Sequence, residues 1–399
     1  MLDIIEKRNP KLVEASVELH QSGAIPPDCY VVDLDMLRKN VKKIKGSVEK
    51  LGLNCFVMTK QFNRNPSMIS LFIEEGLDKF VAVDYECAYL LNKQRANVSH
   101  VGHLVQIPRH RTMDILEMSP ELWTVYGYEN AVSISAAAKS AGVTQNVLLK
   151  VIGDTDAVYT AQEGGIPLNR ALEVAERVAS LPNLTIVGVT GFYCTTYDFD
   201  KRKVIPTPNM TSIKEAADMF KTKLGLEINH INAPGNSSIE SMHVTSQMGA
   251  TDTEPGSALW GMCPQQLFGS DVGEPAQVYV SEISHYSEDT AQVIGGGFYP
   301  DVAAAPMMVT QAFVGNSADK IFIDPIKAEI PSQNWIDYYS WLYPESKSRA
   351  KSGDTVIYFF RPQIFKTRSA NVATLSGIQA GRPQVEAIYD RSSNSMLSY

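Results

Sequence analysis

Residues 55–61 read Cys-Phe-Val-Met-Thr-Lys-Gln, and a loop-like Phe-Asn-Arg-Asn-Pro follows at 62–66. A short apolar run stops at one lysine, Lys60. Strand, then lysine, then loop is how an α/β barrel presents an amine at the rim where barrel enzymes keep their chemistry. A lysine held there, partly desolvated, has a lowered pKa and can form a Schiff base with an aldehyde. The plain alternative is a surface lysine that closes a strand, so the surroundings must decide.

Outward from this stretch, short apolar or β-branched runs alternate with helical patterns. Strands are expected at 55–60, 80–84, 100–104, 122–126, 147–152, 185–192, 227–232 and 251–254. Helices are expected between them at 66–75, 85–93, 130–142, 167–180 and 212–224. Parallel strands need helical crossovers, so eight such strands predict a (β/α)8 TIM-like barrel in an α/β chain. Past residue 272 the texture changes. Strand-like runs at 276–281, 292–294, 320–323 and 355–360 lie between glycine and proline turns, and only 335–342 reads as helix. This predicts a mostly β C-terminal domain. Ahead of the barrel, 29–33 reads as a strand, and an amphipathic helix follows from an Asp35 cap with apolar Leu37, Val41, Ile44, Val48 and Leu51. The expected division is a leading segment, 1–34, whose strand joins the β domain, a barrel, 35–271, and the β domain, 272–399.

At 399 residues the chain can bury two sizeable cores. A formal charge of -8 argues against nucleic acid or an anionic membrane as partner. No apolar run is long enough to span a bilayer, and the acidic third residue of the Met-Leu-Asp-Ile-Ile start speaks against a targeting peptide. Five scattered cysteines without a C-x-x-C pair read as thiols of a reducing cytoplasm.

The strand ends carry the chemistry. After the seventh strand comes Ala233-Pro234-Gly235-Asn236-Ser237-Ser238, a turn that opens a helix and offers N–H groups and hydroxyls to an anion. After the eighth comes Glu254-Pro255-Gly256-Ser257-Ala258-Leu259-Trp260-Gly261, where Gly256 allows close approach of backbone to the same anion. Each has an ordinary reading, a helix cap and a rim carboxylate in an ion pair. Together, an amine, an anion cradle and a carboxylate match the aldehyde, phosphate and pyridine nitrogen of pyridoxal 5′-phosphate (PLP).

On these residues the chain resembles the alanine racemase family, the barrel-type (fold type III) PLP enzymes. Tyr30-Val31-Val32-Asp33-Leu34-Asp35 resembles that family's opening strand and helix, Lys60 falls at its Schiff-base lysine, and 232–237 and 255–261 resemble its phosphate and Pro-Gly-x-x-Leu-Tyr-Gly segments. The resemblance implies a homodimer that shares its active sites, an amino-acid substrate and PLP as cofactor. It also implies roles for Tyr193 (or Phe192) behind the cofactor ring and for Gln162 near its phenolic oxygen. A second acid/base would come from the partner's β domain, with His285, Tyr286 and Tyr299 as candidates. Two departures stand out. The lysine is followed by Gln61-Phe62-Asn63-Arg64 rather than an Ala-Asn-Ala-Tyr-type run. Glu254 stands where alanine racemases carry arginine, and barrel decarboxylases use a Glu-Pro-Gly segment of this kind.

Arg361 and Arg368 are candidates to grip a substrate carboxylate bidentately, against a surface ion-pairing alternative. His100-x-x-His103 looks metal-like, but on a continuous strand the two side chains face opposite ways, so structural roles and no metal site are expected. One histidine, His285, and no cysteine beyond Cys263 also make a His/Cys zinc site in the β domain an unexpected outcome. The leading expectation is an amino-acid racemase or epimerase. A decarboxylase or lyase on the same fold is the first alternative, and a PLP-binding protein without turnover is the second.

Overall fold

The computed structural model describes residues 1–269, 273–295, 297–298, 306–332, 334–363 and 371–396. By their contacts these form two compact units. One comprises residues 43–59 and 72–258, the other residues 1–42, 60–71 and 259–399.

The first unit is a parallel barrel. Its opening strand is broken at Phe56 into Asn54–Cys55 and Val57–Met58. The first half pairs with Asp252–Thr253 and the second with Phe80–Ala82, so this one strand closes the ring. Between them run Val98–Val101, Leu122–Val125, Gln145–Ile152, Leu184–Thr190 and His230–Asn232, each parallel to its neighbours. Eight strand positions result, at the places the alternation predicts. Helices fill the crossovers for local reasons. Asp84 caps Tyr85–Lys93 by accepting from the Cys87 N–H at 2.7 Å. Pro208 opens Pro208–Leu224, where a missing N–H costs nothing. Thr112–Glu117 is a further short helix that periodicity does not announce. The strands are buried on both faces, as parallel strands under helices must be. The inside of the ring is nevertheless polar: His100, Thr124, Lys150, Thr190, Asn232 and Glu254 are all buried.

The second unit is built on a β-sheet. In order, its strands are Thr290–Ile294, Tyr339–Tyr343, Ile326–Glu329, Gln311–Gly315, Thr355–Tyr358, Gln277–Ser287, Cys29–Asp33, Asn371–Ser376 and Gln384–Tyr389. The long strand Gln277–Ser287 also pairs with Thr290–Ile294, so six of these strands close into a small antiparallel barrel. Cys29–Asp33 extends it, antiparallel to Gln277–Ser287 and parallel to Asn371–Ser376. Helices Leu2–Arg8 and Pro10–Gln21 belong to the same unit and bury Leu12, Val13 and Val17.

Two expectations in this unit fail. The helix over 335–342 does not form. Tyr339–Tyr343 is a strand in which Ser340 and Leu342 are buried while Tyr339 and Tyr343 are exposed, a period of two that outweighs any helical spacing. Residues 320–323 form a turn, closed by the Ile323 N–H on the Lys320 carbonyl, and the strands lie on either side of it. Among the described residues, no helix is long and apolar enough to cross a membrane.

Candidate functional site

The C-terminal ends of parallel barrel strands share one rim, and the polar side chains gather there. Glu254 follows the eighth strand directly and its side chain is fully buried. Its Oε1 accepts from His100 Nδ1 at 2.9 Å and from Asn232 Nδ2 at 2.9 Å. Its Oε2 lies 3.5 Å from His103 Nε2 and makes no hydrogen bond. Burial alone would raise this carboxyl. The His103 and His100 side chains and the Asn232 amide outweigh burial and hold it down at about 2, so it is ionised at any physiological pH.

The two histidines correct the reading of His100-x-x-His103 as facing opposite ways. The third strand ends at Val101, and Gly102 takes φ +75°. A Cβ at Gly102 would lie 2.6 Å from the Thr124 carbonyl oxygen, so only glycine fits both the angle and the space. Gln106 pins the turn by donating to the carbonyls of Gly102 and Thr124. His103 is thereby turned to the side of His100, with ring centroids 5.3 Å apart, and both meet Glu254. Two histidines and a carboxylate, with donor atoms all within 4.8 Å of one another, form a compact buried group. Neither histidine was expected to take part in the site.

The loop after the seventh strand has the form of an anion cradle. Gly235 takes φ +117°, and a Cβ there would lie 2.6 Å from Tyr193 Cβ. The Gly235 carbonyl accepts from Thr195 Oγ1 at 2.6 Å, and Ser241 Oγ donates to the Asn236 carbonyl. Ser238 caps helix Ile239–Gln247 by accepting from the Ser241 N–H at 3.2 Å. The Ser237 hydroxyl is buried and makes no hydrogen bond. A buried hydroxyl without a protein partner, beside a helix N-terminus, suits an anionic ligand. Gly256 is buried. Tyr193 stacks on Tyr159, with centroids 4.5 Å apart, and Phe192 meets His103 edge-on at 5.9 Å. The Gln162 side-chain oxygen is a further buried atom without a hydrogen bond. Glu254 Oε2, Ser237 Oγ and Gln162 Oε1 therefore offer three unmet polar atoms on loops at the same end of the strands. The anionic oxygen suits a cationic ring nitrogen and the hydroxyl suits a phosphate, whereas the Gln162 oxygen, which only accepts, meets a phenolic oxygen only where that oxygen carries its proton.

Lys60 opens a single helical turn, Lys60–Phe62, and is half-buried. It stands two residues past Met58, whose N–H donates to the Pro255 carbonyl at 2.9 Å, next to Glu254 in the chain. Lys60 itself groups with the β unit. In that unit His285 is exposed, with Nδ1 3.0 Å from Ser284 Oγ and its ring edge-on to Tyr339. The Tyr286 hydroxyl donates to the Ala350 carbonyl at 2.5 Å and so ties down its own hairpin. Arg361 is buried. Tyr299 and Arg368 lie outside the described residues.

Lys150 is a buried amine that the sequence reading passed over. It is 1% exposed, in the middle of Gln145–Ile152. Its Nζ lies 3.2 Å from the Tyr126 hydroxyl, 3.5 Å from the Gln162 carbonyl and 4.4 Å from the centre of the Tyr126 ring. No carboxylate partners it in these contacts, and burial lowers its ammonium to about 8. A base with a lowered folded pKa binds fewer protons folded than unfolded above pH 8. Stability therefore rises with pH from about 8 to the unfolded value, by up to about 3 kcal/mol at about 1.4 kcal/mol per pKa unit. Urea unfolding of wild type and Lys150→Met across pH 7.5–10 should show that relative gain in the wild type. A flat difference would mean a solvated, fully charged ammonium.

Comparison with known proteins bears on the fold and the family. Residues 32–264 match the alanine racemase N-terminal domain, and residues 278–385 match a YhfX-like C-terminal domain. "Uncharacterized protein YhfX" of Escherichia coli (strain K12) is 35% identical over 398 residues, 99% of each chain. Among solved structures, D-threonine aldolase from Filomicrobium marinum aligns with TM-score 0.66 and 16% identity over 92% of this chain and 94% of that one. Alanine racemase of Clostridium difficile 630 in complex with cycloserine aligns with TM-score 0.63 and 17% identity over 92% and 99%. D-threo-3-hydroxyaspartate dehydratase from Delftia sp. HT23 gives 0.62 and 13% over 90% and 96%. These distant likenesses show the shared fold. With more than half of its length matched by the barrel domain and a full-length relative beside it, the chain belongs to the alanine racemase family, in the branch whose second domain is YhfX-like.

Proposed function

We propose that this protein is a PLP-dependent enzyme acting at Cα of an amino acid, a racemase or epimerase. The observation that carries the proposal is the rim itself. A fully ionised Glu254 presents one unmet oxygen, and Ser237 presents an unmet hydroxyl beside a helix N-terminus. Bound there, such a cofactor supplies an electron sink for the pair released at Cα. The protein's part is to hold and to move protons. Asn236, Ser237 and Gly256 would hold the phosphate, Glu254 the ring nitrogen and Gln162 the phenolic oxygen, with Tyr193 beside the ring. Lys60 would hold the aldehyde carbon and, when released, its Nζ would carry the Cα proton. The second acid/base would come from the β domain of a second copy in a homodimer. Of the candidates there, Tyr286 already spends its proton on Ala350, which leaves His285, which is exposed, and Tyr299, which lies outside the described residues. Arg361 remains the candidate for the substrate carboxylate, with Arg368 as its alternate.

One observation favours a lyase instead. A carboxylate at the ring nitrogen keeps that nitrogen protonated and deepens the sink, which suits loss of a larger group from Cα more than selective reprotonation. Similar folds carrying the names D-threonine aldolase and D-threo-3-hydroxyaspartate dehydratase lend this reading support. Incubation of the PLP-loaded protein with single L- and D-amino acids in D2O separates the two. Cα deuteration with inversion supports the racemase. Release of CO2, ammonia or an aldehyde supports the lyase. Absence of Cα–H exchange together with absence of CO2, ammonia or aldehyde release across a broad panel would sink both and leave a PLP-binding protein without turnover.

A further inference from the structure

The arrangement behind Glu254 is more specific than holding a carboxylate requires. Because an ionised carboxylate oxygen only accepts, the His100 proton on this side is on Nδ1, donated to Oε1. His100 Nε2 lies 2.7 Å from Thr124 Oγ1, so the ring is held by hydrogen bonds on both nitrogens, between the eighth strand's end and the fourth strand. Asn232 Nδ2 shares itself between the same Oε1 and Thr190 Oγ1, at 2.9 and 3.1 Å. Two donors, on the third and seventh strands and braced from the fourth and sixth, thus converge on one carboxylate oxygen, while the second, Oε2, makes no hydrogen bond and has His103 Nε2 as a charged neighbour at 3.5 Å. A ligand atom that meets Oε2 must bring its own proton.

We propose that His100, braced by Thr124, is a positioning residue that aims Glu254 Oε2 at a ring N–H, so that the barrel selects a protonated nitrogen heterocycle over an isosteric ring without that nitrogen. This rests on the reading of the rim as a cofactor site. The competing use of the same side chains, ligation of a cation by His100, His103 and Glu254, would require His100 to give up one of the two contacts that both its nitrogens already make.

The test is equilibrium binding, followed by calorimetry, of pyridoxamine 5′-phosphate and of its 1-deaza analogue, in which C–H replaces the ring nitrogen. Neither forms a covalent bond with Lys60. Wild type should bind the nitrogen ring at least about tenfold more tightly, the discrimination expected of one charge-assisted hydrogen bond. His100→Leu should bring the ratio to within about twofold while leaving the affinity for the deaza ring unchanged. His100→Asn, whose amide N–H can replace Nδ1–H, should restore most of the ratio, which a purely structural role would not do. Thr124→Val removes only the brace, should lower the ratio by about threefold, and serves if His100→Leu does not fold. Equal affinities in wild type, or a wild-type ratio in both His100→Leu and Thr124→Val, overturn the inference and leave the cofactor reading standing. So does a stoichiometric transition metal in wild type that is lost in His100→Leu. Failure of wild type to bind either compound sinks the cofactor reading itself.

Discussion

The Lys60→Ala protein is expected to lose turnover by at least about 10⁴-fold, because one side chain would supply both the covalent hold on the cofactor and a proton carrier at Cα. The fold should not suffer. Lys60 is half-buried and opens one short helical turn, and alanine is compatible with that backbone. The thermal midpoint should therefore stay within a few degrees of wild type, and the phosphate contacts should still retain cofactor weakly. The decisive measurement is borohydride reduction followed by peptide mass mapping. In wild type the reduced cofactor should sit on the peptide that contains Lys60, and in Lys60→Ala no peptide should carry it. Fixation that persists in the variant would name another amine. Lys150 would be the first to examine, since it is buried in a barrel strand with its ammonium already lowered to about 8.

Much of the barrel was legible because its signal is local and repeated. Apolar runs such as Val-Leu-Leu-Lys-Val-Ile at 147–152 recur eight times, with helical patterns between most of them, and each reinforces the register of the next. The β unit was less legible because its strands are short and half-exposed. In Tyr-Ser-Trp-Leu-Tyr at 339–343 the aromatic residues fall on the outer face, so a reader looking for apolar spacing sees a helix. The closure of six strands into a ring depends on Gln277–Ser287 being long enough to pair at both ends, which no local pattern reveals.

The site divides along the same line. The Gly-Asn-Ser-Ser turn and the Glu-Pro-Gly segment were readable because loop chemistry is written in consecutive residues. The histidines were not, because their meaning depends on where the strand stops. Had the strand run on through 104, His100 and His103 would face apart. The left-handed angle at Gly102 cancels that alternation. The available signal was the glycine between them. Lys150 had a signal too, a lone charge in an otherwise apolar six-residue run. A charge there must either be buried on the inside of the ring or destroy the strand.

For Glu254→Gln, Cα–H exchange is expected to slow by about 10²-fold or more, with the cofactor still bound. The amide keeps the size of the side chain and can still accept from His100 Nδ1 through its oxygen. What it cannot do is offer a negative charge to a ring N–H, so a charge-assisted hydrogen bond becomes a neutral one and the sink weakens where charge develops. Cofactor affinity should change much less, because on the proposed reading the 235–238 turn and Lys60 would carry most of the binding. No shift of the pH profile toward Glu254 itself should be seen above pH 4 in wild type, since its carboxyl is held at about 2. Exchange measured in D2O at saturating cofactor checks this directly. An unchanged rate would place Glu254 away from the ring nitrogen and remove the strongest ground for the lyase alternative. A slowing of the expected size, compared between racemisation and bond-cleaving substrates, would show which of the two reactions leans harder on a protonated ring. If Glu254 meets the ring nitrogen, its carboxylate deepens the electron sink, and the reaction that loses more in Glu254→Gln is then the one that depends more on that contact.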